Sequence, residues 1–157
     1  MVFVQRRSIG MSINTCSGAI SLSRELENGS AKFYQELAQQ YLPDKDFFLS
    51  LAKENEKFVK QIERAYYGVI TDAIEGCFAF DLNPDDYQVG ITVSKDASYS
   101  NAIKEALGIE EKILNFYRIA AEQSKHLMAD IPRSFTLVAK KRNERIPKLK
   151  ELLEKAK

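Results

Sequence analysis

Four stretches of this chain carry apolar side chains at the 3.6-residue spacing of a helix. Each is broken by a polar or charged residue where a core aliphatic would normally stand. The first stripe runs Ile20, Ser23, Glu27, Ser30, Ala31, Tyr34, Leu37, Ala38 and Tyr41. The second runs Phe48, Leu51, Ala52, Asn55, Phe58, Val59, Ile62 and Tyr66. The third is Ile103, Ala106, Leu107, Glu110, Ile113, Tyr117, Ala120 and Ala121. The fourth is Phe135, Val138, Ala139, Arg142, Arg145, Ile146, Leu149 and Leu153. Helices with such stripes bury them against one another, and an uncompensated charge in that core costs several kcal/mol. Glu27, Asn55, Glu110 and Arg142 therefore have to meet and compensate one another.

Turn and cap residues divide the chain in the same way. Ser17 is placed to cap the first helix, Pro43 with Asp44 to separate it from the second, and Gly68 to close the second. Ser98 is placed to cap the third, and Asp130 with Pro132 at the first helical position opens the fourth. Pro147 predicts a kink near residues 143–146, because it lacks an N–H and its ring clashes with the preceding turn. Between the pairs, residues 69–97 hold Gly76, Asn83-Pro84-Asp85-Asp86 and Gly90, the marks of a long crossover. The expected fold class is all-α: an antiparallel four-helix bundle of two helical hairpins. With 157 residues there is room for one domain. It is placed at residues 17–157, behind an extension at residues 1–16 that is expected to be poorly ordered.

The chain also repeats itself. Glu27, Phe33 and Tyr34 recur as Glu110, Phe116 and Tyr117, 83 positions on, and Phe48, Ala52, Asn55 and Phe58 align with Phe135, Ala139, Arg142 and Arg145, 87 positions on. The halves are residues 17–68 and 98–155. Two equivalent hairpins place equivalent positions around one axis, so the interrupting residues are expected at one central locus.

The runs ELENGSAKFYQELA, FFLSLAKENEKF, IEEKILNFY and GCFAFDLNPDD resemble the ferritin-like, rubrerythrin-type diiron-carboxylate bundles over about residues 17–155. What the resemblance implies is a dinuclear iron or manganese centre held by a Glu on helices 1 and 3 and a Glu-x-x-His pair on helices 2 and 4. Carried over, the helix 1 and helix 3 ligands fall on Glu27 and Glu110. The helix 2 pair falls on Asn55 and Phe58 and the helix 4 pair on Arg142 and Arg145, which cannot ligate a metal. The expectation is a degenerate member without catalytic residues or cofactor, in which Glu27 and Glu110 form buried ion pairs with Arg142 and Arg145. Phe58 is expected to fill the volume of an imidazole. The protein then acts as a binding or structural module. The alternative is an iron or manganese oxidoreductase, peroxidase-like or ferroxidase-like, with Glu27 and Glu110 as metal ligands. A third reading is a bundle pocket for a small apolar ligand beside Asn55.

Other candidates have plainer expected roles. Glu54, Glu56, Glu111 and Glu144 flank the locus but are spaced away from the stripes. His126, the single histidine, suits the end of the third helix. The hydroxyls of Tyr34 and Tyr117 need partners near the centre. Cys16 and Cys77 form no C-x-x-C motif, and read as inert thiols in a reducing, cytoplasmic setting. Residues 133–157 hold nine Lys/Arg against three Asp/Glu, a net of +6 within a chain of net +1. Their spread around the helix, with no aromatic residue among the lysines, predicts a solvated face and no nucleic-acid partner. No run reaches the ~18 apolar residues of a membrane span. A homodimer or another helical self-association is expected, with Phe33, Phe47 and Phe116 suggesting the face if they lie exposed.

Overall fold

A computed structural model describes residues 12–69, 79–88, 93, 98–127 and 130–156. Helix α1 spans Cys16–Gln40, α2 Lys45–Val69, α3 Tyr99–Gln123, α4 Asp130–Asn143 and α5 Arg145–Ala156. The protein is all-α, and the order of elements fits a four-helix bundle whose last helix is broken in two. A short 3-10 turn at Leu42–Asp44 joins α1 to α2, and these two pack along their length. The second hairpin is α3 against α4 and α5, and α2 lies on α4 where the hairpins meet. The break falls at Glu144, within the predicted stretch. Pro147 cannot donate to the carbonyl of Asn143, so the ladder stops there and restarts one residue later.

Local chemistry moves several predicted boundaries. Helix α1 is capped by Thr15, not Ser17: the Thr15 hydroxyl accepts from the Gly18 amide at 3.1 Å. Helix α2 runs through Gly68 to Val69, and Pro132 is the third residue of α4, not the first. Ser98 caps α3 as expected, accepting from the Asn101 amide at 3.1 Å.

The extension is ordered at its C-terminal end. Ile13 and Leu82 exchange backbone hydrogen bonds of 2.7 and 3.0 Å, and Asn14 accepts from Phe80 at 3.2 Å. Satisfying those backbone groups ties residues 12–15 to the crossover. Residues 1–11 and Cys77 lie outside the described residues; Cys16 is buried in the first turn of α1.

The crossover also covers aromatic surface. Tyr87 packs edge-on against Phe116, with ring centroids 5.4 Å apart, and Phe80 against Phe135 at 6.3 Å. Phe33 and Phe116 are fully buried, Phe116 beneath Tyr87, and Phe47 is half-buried. Two of the three aromatics named for a self-association face therefore lie in the core. Among the described residues no helix is long and apolar enough to cross a membrane.

Candidate functional site

The four interrupted stripes converge. Glu27 from α1, Asn55 from α2, Glu110 from α3 and Arg142 from α4 are all buried at one level of the bundle, with Arg145 at the start of α5 beside them. Arg142 holds Glu27 in a two-bond fork, Nε to Oε2 at 3.0 Å and Nη2 to Oε1 at 2.7 Å. Its Nη1 donates to Glu110 Oε1 at 2.5 Å, and Nη2 also reaches Asn55 Oδ1 at 3.3 Å. One guanidinium thus bridges both carboxylates. Asn55 is turned the other way with its amide nitrogen, which donates to the Glu27 carbonyl at 3.4 Å.

Arg145 donates to Glu110 Oε2 at 3.1 Å, to the Leu51 carbonyl at 3.0 Å, and to Glu54 Oε1 from Nε at 3.2 Å and Nη2 at 2.9 Å. Glu54 was expected to point away from the locus. Instead it reaches in from the rim, with its side chain 35% exposed, because a guanidinium carries five donors and the two core carboxylates cannot absorb those of two arginines. Glu56, Glu111 and Glu144 are exposed. His126 is exposed beyond the end of α3.

The tyrosines close the network in a crossed pattern. Tyr34 of α1 donates to Glu110 of α3 at 2.5 Å, and its repeat mate Tyr117 of α3 donates to Glu27 of α1 at 2.6 Å. A phenol has one proton, so Ser23, at 2.9 Å from the Tyr117 hydroxyl, is the donor there. The Phe58 ring lies against both guanidinium groups, its centroid 5.6 Å from Arg142 Cζ and 5.2 Å from Arg145 Cζ, and Arg145 also sits 5.7 Å from the Tyr34 ring.

The electrostatics follow from this geometry. Burial pushes the Glu110 carboxyl up, but Arg142, Arg145 and the Tyr34 hydroxyl outweigh it and hold it below the usual carboxylate range. Burial likewise works against the charge on Arg142, and Glu110 and Glu27 more than reverse it. Tyr34 and Tyr117 are pushed well above the ordinary phenol value, first by burial and then by the carboxylate each faces. Glu27, Glu110, Arg142 and Arg145 sum to zero charge in a closed, neutral core.

A dinuclear metal centre does not fit these residues. The carboxylate oxygens it would need are already bonded to guanidinium groups, and the remaining positions offer an amide and a phenyl ring. Among the described residues no group of three or more His, Cys, Asp or Glu side chains is arranged to hold a metal ion. Comparison of the chain with protein-family models, with curated proteins and with solved structures gives no match.

Sequence reasoning named Ser23, Leu51 and Glu54 but missed their roles as donor to Tyr117 and as acceptors for Arg145. Donor counting could have found Glu54, which is the carboxylate next to the locus on the helix facing Arg145.

Proposed function

We propose that this chain is a ferritin-like bundle, related to the rubrerythrin type, whose centre uses guanidinium groups where that family uses metal cations. It works as a binding module and not as a redox enzyme. The observation that supports this reading is Arg142 spanning Glu27 and Glu110 with hydrogen bonds of 2.5 to 3.0 Å in a fully buried site. A dication entering there would have to displace that group and sit beside Arg145, against strong repulsion. The repeat adds support, since it places the two arginines at the positions equivalent to Asn55 and Phe58.

The test is anaerobic loading of the purified chain with Fe(II) or Mn(II), followed by desalting and elemental analysis. The chain should retain no stoichiometric metal. Retention of two ions per chain, abolished by Glu27→Gln and Glu110→Gln, would establish the oxidoreductase alternative instead.

A further inference from the structure

We propose that the groove between α2 and the α4–α5 segment binds a small amphiphilic anion, with a carboxylate or phosphate head and an apolar body. This rests on the binding-module reading and names its ligand class. The groove has a volume of about 550 Å³, and sites for small organic ligands commonly run from roughly 300 to 1,000 Å³. Phe47 and Phe58 supply apolar lining. Lys53 and Lys57 stand four residues apart on one face of α2, and Lys141 of α4 and Lys148 of α5 face them from the opposite wall.

The four lysines are exposed, and among the described residues none has a carboxylate within ion-pair distance. The acidic residue that lines the groove, Glu54, is committed to Arg145. Four ammonium groups around an apolar floor therefore leave a positive field that an anionic head would complement. The neighbouring groove between α3 and α4, of about 560 Å³, is also basic, lined by Arg118, Arg133 and Lys140 besides a Lys125 that pairs with Glu122, but no aromatic residue lines it. The size of the α2–α4–α5 groove suits one small molecule better than a macromolecular surface. Phe58 also touches both buried guanidinium groups, so an occupant would be felt at the central cluster.

The test is an NMR titration of the isotope-labelled full chain with four probes kept below their micelle concentrations. These are dodecanoate, dodecyl phosphate, dodecyl maltoside and dodecyltrimethylammonium. Both anions should saturate one site, shifting amides around Lys53, Lys57, Lys141 and Lys148 and the side-chain signals of Arg145, while the uncharged and cationic probes bind at least about tenfold more weakly. Lys141→Ala with Lys148→Ala should weaken the anions about tenfold and leave the circular dichroism spectrum and melting temperature unchanged. Equal binding by all four probes, shifts confined to the α3–α4 groove, or no saturation by either anion would overturn the proposal. In parallel titrations with anionic phospholipid vesicles and with polyglutamate, a response there and to none of the four probes would overturn it in favour of a membrane or an acidic protein partner. Metal loading reads the centre alone, so failure of the metal-free reading and failure of this site give different results.

Discussion

Arg142 and Glu27, 115 positions apart in sequence, form a fully buried two-bond fork of 3.0 and 2.7 Å. The fork makes the core neutral where α1 and α4 would otherwise each bury a charge. Its energetic meaning lies in what is left when one side is removed.

Arg142→Ala should destabilise the chain by about 3 to 5 kcal/mol, since two buried carboxylates lose their shared partner. Urea denaturation measures this. Arg24→Ala, which breaks the partly exposed pair with Glu63, should cost less than about 1 kcal/mol and serves as the control. Adding Glu27→Gln and Glu110→Gln to Arg142→Met should recover much of the loss, because no unpaired charge then remains.

Tyr34→Phe and Tyr117→Phe should each cost about 1.5 to 3 kcal/mol, the range for a buried hydrogen bond to a charged group. Tyr117→Phe should be the more damaging, as it also removes the acceptor of Ser23. Equal loss of only a few tenths in both, in chemical denaturation, would mean the crossed bonds are not maintained in solution.

Stability should fall at both ends of the pH scale for different reasons. Glu110 is held below the ordinary carboxylate value in the folded chain, so its contribution is present above that value and is lost as acid protonates it. Tyr34 and Tyr117 are raised above the phenol value, so their contribution is complete below about pH 10 and disappears as the pH climbs towards their folded-state values. Burial raises Tyr87 and Tyr99 as well, so phenolate absorbance should show four of the seven tyrosines ionising late, and the Tyr34→Phe with Tyr117→Phe variant should lose two of those four.

On the proposed ferritin-like reading, installing ligand chemistry should confer metal binding. Asn55→Glu, Phe58→His, Arg142→Glu and Arg145→His together supply the pairs that the resemblance implies, and the combined variant should take up two Fe(II) or Mn(II) ions per chain. If the metal-free variant is unfolded, folding on metal addition, read by circular dichroism, reports the same event. A folded variant that retains no metal would contradict the evolutionary part of the proposal.

Much of this was legible in the sequence because helical spacing is a strong code. Buried charges at Glu27, Glu110 and Arg142 had to find one another, and the offsets of 83 and 87 residues said where. Glu54 was missed because stripe analysis assigns a residue by its Cβ direction, whereas long side chains such as those of Arg145 and Glu54 meet beyond the stripe edge. The Ile13–Leu82 pairing was missed for a different reason: it depends on where the crossover returns, and no local pattern encodes that contact, whereas the Thr15 cap is a local contact with the Gly18 amide that the neighbouring Ser17 obscured. The burial of Phe33 and Phe116 also depends on tertiary context. At Phe116 it comes from Tyr87 of the crossover, which sequence spacing alone cannot bring to α3.

The most direct test is a crystal structure of the chain grown with excess Mn(II) under reducing conditions. The density should show the Arg142 guanidinium between Glu27 and Glu110, with Arg145 turned to Glu110 and Glu54. A pair of metal ions bridged by the two glutamates, with the arginines displaced towards solvent, would contradict it.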